Sequence, residues 1–345
     1  MKKTLYLFIV PLFLMYTLFL PGCDLKTHFS DQKSSLDVHY ETYTFPTRNV
    51  SGFKELVTGD RTSNFEGFGH LYLPINASAV NKVPLMLILH GSGGTWGGRG
   101  ARHAELLAHN GIGALVIDTF SSRSLTQKDK YISRLMEVNF PDQLADAFYA
   151  LNALQSHPFV DGSNIGVMGY SMGGISTILA AYENIAAASS NKSERFALHV
   201  AFYAPCVIQP SIHEPTGAPV IALWGLEDGA TPKSRCDEFL SVFEKEGCFV
   251  KTQWYEGAPH GWNGTKQPKF YKGVPNFAPC EFVINENGQI TERKTGKTTD
   301  TDKQMMENSE YCVDFGYSIG RHDRTNELAN AELLKAIKQH MRTIN

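Results

Sequence analysis

The sequence predicts an α/β fold: a doubly wound, mostly parallel sheet flanked by helices, with a long insertion before the C-terminal helix. Three observations predict it. Short apolar runs, such as residues 83–89 and 220–224, alternate with helix-forming stretches. They are too short for core helices and read as strands buried on both faces. A Gly169-Tyr-Ser171-Met-Gly173 turn joins one such strand to a helical segment. With 345 residues, 42% of them hydrophobic and 19% charged, the chain can bury one large core.

In chain order, residues 39–45 and 65–74 alternate apolar and polar side chains, as half-buried antiparallel strands do, and are expected at the sheet edge. Strands follow at 83–89, 114–118, 165–168, 199–203, 220–224 and 250–255. Helices interleave with them near 101–110, 143–155, 175–188 and 236–245, and a last helix is predicted at 326–341. Alternating β and α elements imply parallel neighbours, with the functional side chains at the strand C-terminal ends. Residues 263–322 interrupt this pattern and are too long for an ordinary connection. Inside them, residues 282–291 read as a hairpin around Asn287-Gly288. The insertion leaves directly from His260, so it is expected to overhang a pocket through Phe270, Tyr271 and Phe277; a side flap remote from substrate is the other reading. No internal repeat is evident.

The G-x-S-x-G turn carries the chemistry. A nucleophile at a tight strand-to-helix turn needs strained backbone angles, and Gly169 and Gly173 remove the side chains that would collide there. Ser171 would stand at the N-terminus of the following helix, where N–H groups and the helix dipole favour a developing oxyanion. Downstream, Asp228 follows the strand at 220–224 and His260 follows the strand at 250–255. The order Ser171, Asp228, His260, each just past a different strand, is that of a nucleophile, an orienting acid and a general base. Glu227 is the rival acid. After the strand at 83–89, His90-Gly-Ser92-Gly offers a turn for the second oxyanion donor; the backbone amides of Met172 and Ser92 are the expected pair, and His90 is expected to hydrogen-bond within its loop.

From Val83 to Trp262 the chain resembles the dienelactone hydrolase family of α/β-hydrolases, in its serine-bearing branch. The resemblance extends to Val116-Ile-Asp-Thr-Phe-Ser-Ser-Arg123, Pro158-Phe-Val-Asp161, Phe202-Tyr-Ala-Pro-Cys206 and Ala258-Pro-His260-Gly-Trp262. It implies the α/β-hydrolase fold and the cleavage of small carboxylic esters, lactones or thioesters through an acyl-enzyme, without a metal or organic cofactor. The archetypal members carry Cys where this chain has Ser171, so a literal dienelactone substrate does not carry over. Family members hold a substrate carboxylate with arginines. Arg123 lies near the equivalent turn and is the candidate here, although no arginine closely follows His260. A peptidase on the same fold is the catalytic alternative and would usually bring an accessory domain or substrate-terminus clamps. A non-catalytic lipoprotein that binds envelope components is the other, and would be marked by loss of a triad member.

The N-terminus pairs Met1-Lys-Lys with a nearly uncharged run ending in Leu20-Pro-Gly-Cys23. This resembles a bacterial lipoprotein signal, which implies a signal peptide over 1–22, lipidation at Cys23, a polar tether over 23–37 and a hydrolase domain over 38–345. The expected address is the cell envelope, membrane-anchored and facing the periplasm. An ordinary cleaved signal, giving a secreted protein, or an uncleaved anchor are the alternatives. In that oxidising setting five cysteines remain beside Cys23. Cys206 with Cys236 would pin the acid loop beside the nucleophile strand, and Cys280 with Cys312 would close the insertion, leaving Cys248 free. All five stay reduced if the signal reading fails. The formal charge of −3 and the lack of a basic stripe argue against nucleic acid as a partner. The twelve histidines form no metal-binding spacing. The expected partners are a small-molecule ester and, through the anchor, a membrane.

Overall fold

The strands are β1 (Val38–Thr47), β2 (Phe65–Pro74), β3 (Val83–Leu89), β4 (Gly113–Ile117), β5 (Val160–Tyr170), β6 (His199–Phe202), β7 (Ile208–Pro210), β8 (Val220–Gly225) and β9 (Val250–Tyr255). All but β7 join one eight-stranded sheet in the order β1-β2-β4-β3-β5-β6-β8-β9. β1, β2 and β4 pair antiparallel and the remaining pairs are parallel. The two early strands therefore form the edge, as their alternation predicts. The structure is a computed structural model that describes residues 38–190 and 192–342. The expected signal peptide over 1–22, Cys23 and the tether over 23–37 lie outside the described residues.

Strand β3 shows why the central runs are apolar throughout. Leu85, Leu87 and Leu89 enter one apolar cluster, while Met86 and Ile88 enter the other. β8 repeats this, with Val220, Ala222 and Trp224 on one face and Ile221 and Leu223 on the other. A sheet buried on both faces needs helices on both. α1 (Phe53–Thr58), α5 (Phe140–Leu154), α6 (Met172–Leu179), α7 (Glu183–Ser189) and α8 (Lys233–Lys245) contribute to the first cluster. α2 (Arg99–His109) and the C-terminal α10 (Asp323–His340) cover the second. Short α3 (Thr119–Ser122) and α4 (Tyr131–Glu137) lie between β4 and α5.

Two departures from the expected elements have physical causes. The single helix expected over 175–188 is two, α6 and α7, because Tyr182 adopts extended angles, bridges Pro215 and packs its buried ring 4.5 Å from that of Phe243. Tertiary pairing thus overrides a continuous helical propensity. α5 begins earlier than expected, since Asn139 and Asp142 form a reciprocal capping box with Pro141 in the first turn.

The insertion has its own strands: β10 (Lys269–Asn276), β11 (Phe282–Ile284), β12 (Ile290–Glu292), β13 (Thr298–Thr299) and β14 (Asp314–Ile319), with α9 (Asp302–Asn308) before the last. β10 and β14 pair antiparallel and return the chain beside His260. β11 and β12 form the expected hairpin, with Gly288 at φ 75° in its loop. A side chain at Gly288 would collide with the Phe53 backbone, so the hairpin tip rests on α1. β11 also pairs in parallel with β7, making a small sheet of β13-β12-β11-β7. Disulfides join Cys206 to Cys236 and Cys280 to Cys312, and Cys248 is a half-buried free thiol. Among the described residues no helix is long and apolar enough to cross a membrane.

Candidate active site

β5 ends at Tyr170 and α6 begins at Met172, so Ser171 alone makes the turn. Its φ of 51° and ψ of −112° lie outside the regions open to most L-residues. The neighbouring glycines permit this. A Cβ on Gly169 would collide with the Gly173 carbonyl, and a Cβ on Gly173 would collide with the Leu89 and His90 carbonyls. The turn is closed by Ser171 N–H donating to Phe202 O at 3.0 Å and Ile175 N–H donating to Ser171 O at 2.9 Å.

Two further loops converge on this serine. His260 Nε2 lies 2.9 Å from Ser171 Oγ, and His260 Nδ1 lies 2.7 Å from Asp228 Oδ2. Asp228 is buried, and its other oxygen accepts the Ala230 N–H at 2.9 Å. Glu227 is exposed, so the turn after β8 aims Asp228 at the imidazole and its neighbour at solvent. The insertion holds the histidine backbone on both sides: His260 N–H donates to Ser318 O, and Gly320 N–H donates to His260 O, each at 3.0 Å. The imidazole sits between two phenol rings, edge to face, with centroids 4.9 Å from Tyr203 and 5.1 Å from Tyr317. Tyr203 O–H donates to Asn263 Oδ1 at 2.7 Å. Burial pushes the Tyr203 phenol up to about 12 and raises Tyr317 as well, so both stay neutral beside the histidine.

Ser171 opens into a cavity of about 90 Å³. Ser92 and Met172 line it with the serine. Met172 is the first residue of α6, a position whose N–H has no acceptor within its own helix. Ser92 Oγ accepts a hydrogen bond from Tyr131 O–H at 2.9 Å, tying its loop to α4. The rest of the wall is mainly apolar: Phe140 from α5, Ile175 from α6 and Val207 just before β7, with Phe277, Met305 and Met306 from the insertion. Of the three aromatic residues expected to face the pocket, Phe277 does. Phe270 and Tyr271 do not line it, because β10 turns Phe270 to solvent and Tyr271 lies on its half-buried outer stretch.

Arg123 is a correction. It is absent from the cavity wall. Its guanidinium makes two hydrogen bonds to Asp146, at 2.9 and 3.0 Å, and its Nε lies 3.1 Å from Asp142. Further bonds reach the Thr119 and Arg48 carbonyls. The side chain is 8% exposed, so the group is buried against two carboxylates that it neutralises and is turned away from the cavity. Burial raises Asp142 to about 6, opposed by Arg123, and the two carboxylates hold the Arg123 cation. His90 behaves as expected: its Nδ1 pairs with Gly91 O at 2.8 Å, and burial lowers its pKa. Tyr131, Tyr203 and Tyr317 are site residues that sequence reasoning passes over. Their only signal is position: Tyr203 follows the end of β6, Tyr317 lies inside β14 beside Gly316, and Tyr131 begins the short α4, which the sequence patterns do not predict. Among the described residues no group of three or more His, Cys, Asp or Glu side chains could hold a metal ion.

The sequence pattern of the dienelactone hydrolase family matches residues 69–304, a span that contains Ser171, Asp228 and His260. Among solved structures, a Klebsiella pneumoniae protein assigned as a dienelactone hydrolase superposes with a TM-score of 0.52 at 14% identity, covering 87% of this chain and 99% of its own. A dienelactone hydrolase-like promiscuous phosphotriesterase from metagenomic libraries gives 0.53 at 12% identity, covering 88% and 99%. Likenesses at such identity speak to the fold alone. No curated protein matches the chain.

Proposed function

The chain belongs to the dienelactone hydrolase family, and from that premise we propose that it is a serine hydrolase cleaving small carboxylic esters, lactones or thioesters through an acyl-enzyme. The observation that carries this reading is the relay of 2.9 and 2.7 Å from a strained serine through His260 to a buried carboxylate, opening into an apolar cavity. Ser171 Oγ attacks the substrate carbonyl carbon while His260 Nε2 takes its proton. Asp228 holds the imidazole with Nδ1–H toward it and stabilises the imidazolium. The carbonyl oxygen becomes an oxyanion, for which the Met172 and Ser92 amides are the assigned donors. Collapse of the tetrahedral adduct breaks the bond to the leaving alcohol or thiol, which takes the proton from His260. Water then attacks the acyl carbon, again deprotonated by His260, and frees the acid and Ser171.

The cavity wall contains neither Arg nor Lys, and Arg123 is occupied elsewhere. Neutral esters with one small arm are therefore the favoured substrates. An extracytoplasmic address fits the two disulfides, and we assign lipidation to Cys23 on the sequence resemblance. Membrane partition of the full chain that Cys23→Ser abolishes would support the anchor; unchanged partition would contradict it.

Hydrolysis of p-nitrophenyl acetate tests the catalytic assignment. Ser171→Ala or His260→Ala should reduce turnover by about 10⁴-fold or more, and Asp228→Asn by about 10⁴ through the wrong tautomer. Wild-type turnover in any of the three sinks the corresponding role.

A further inference from the structure

We propose that a second depression, outside the Ser171 cavity and between α4 and the insertion, binds an extended apolar arm of the ester substrate while the inner cavity takes the short arm. The inference rests on the serine hydrolase reading above. The inner cavity, at about 90 Å³, suits only a short group. Beside it lies a groove of about 680 Å³. Tyr131, Pro275, Phe277 and Met306 line both, so the two spaces are separated by a wall one side chain thick.

The groove has the chemistry of an alkyl-chain site. Its floor continues the shared wall through Ile132, Met136, Val313 and Phe315. Ile132 is 41% exposed and Phe315 58%. Single exposed apolar side chains are ordinary, but these converge on one groove that shares a wall with the cavity holding Ser171. Charges of both signs, Lys130 with Glu307 and Glu310, also line the groove, and the inner cavity wall has no charged side chain. A neutral chain is thus favoured over an anionic one.

The partition has a fixed frame and a yielding part. The Cys280–Cys312 disulfide and the β10–β14 pairing hold the insertion's outer wall, so the groove is formed before substrate arrives. Met306 is unbranched and adaptable, and Tyr131 is joined to the inner loop by one neutral hydrogen bond to Ser92. A substrate arm running from Ser171 between these two side chains would pass from cavity to groove without moving the sheet. The arm is either the acyl chain or the alcohol chain; both present the same surface to the groove.

Two substrate series on the full chain in detergent separate these sources: methyl esters of straight-chain acids from acetate to dodecanoate, and acetates of straight-chain alcohols of matching length. One series should gain about tenfold or more in kcat/KM as its chain lengthens to about eight carbons. A gain in the first assigns the groove to the acyl arm, and a gain in the second to the alcohol arm. Gly273→Trp fills the groove from a position where an added Cβ meets nothing within 4 Å. Phe315→Asp puts a charge into the same groove from an exposed site, should the first variant fold poorly. Either should cut the long-to-short kcat/KM ratio by about tenfold. The proposal is overturned if neither series gains with length, or if the gain survives in both variants. Absence of p-nitrophenyl acetate turnover by the wild type is a different result: it removes the hydrolase reading, and the groove assignment with it.

Discussion

At the scale of single residues, the site depends on which side chains the backbone can tolerate. Gly173 sits where any Cβ would meet the Leu89 and His90 carbonyls, so Gly173→Ala should destabilise the fold by about 1–3 kcal/mol or more, read as a lower denaturation midpoint. An unchanged midpoint would mean that the turn relaxes freely. Arg123 separates two roles equally cleanly. If its guanidinium serves Asp142 and Asp146, Arg123→Ala should cost about 3–5 kcal/mol of stability, and the folded variant should keep its KM for neutral esters. A raised KM for carboxylate-bearing esters with intact stability would restore the substrate role. The contrast also shows what a sequence reveals at this scale. Ser171, Asp228 and His260 each follow a recognisable strand, so their convergence is a property of the sheet and can be read locally. The acidic partners of Arg123 come from α5, and nothing near Arg123 in the chain announces them.

At the scale of elements, the insertion is the part of the chain that sequence patterns describe least well. Its hairpin was legible from Asn287-Gly288 because turn chemistry is local. The parallel pairing of β11 with β7 was not, since three-residue strands carry no periodicity and the partner lies some seventy residues earlier in the chain. That pairing is what brings Phe282 to the cavity wall. The insertion is therefore built into the pocket by β7 on one side, β14 on the other and the Cys280–Cys312 bridge between. Replacing both cysteines with serine should cost about 3–4 kcal/mol by loop entropy, measured by thermal or urea unfolding. Loss of less than about 1 kcal/mol would show that strand pairing alone holds the insertion.

At the scale of the whole molecule, a sheet buried on both faces gives a pH-dependent stability. Burial lowers His103, on α2, and His199, on β6, to about 4 each. Their unfolded values lie near 6.5, so the unfolded chain binds more protons below that pH, and stability present at neutral pH is lost as the pH falls from about 6.5 toward 4. Asp142, raised to about 6, acts in the opposite direction between about 4 and 6 because the folded state prefers its proton. Burial lowers His90 as well, so the buried histidines outweigh the one aspartate and leave a net loss toward acid. Urea midpoints should therefore fall between pH 7.5 and 5, and His199→Leu should flatten that slope; a midpoint that rises on acidification would contradict the burial assigned to these rings. The fold that buries them is also what brings the three strand-end loops together. The measurement that tests this most directly is labelling of the folded protein with a fluorophosphonate, with the modified residue identified by peptide mass spectrometry. A single adduct on Ser171 that disappears in His260→Ala is expected; a folded wild type that takes no label, or takes it on another residue, would contradict the assignment of Ser171 as nucleophile.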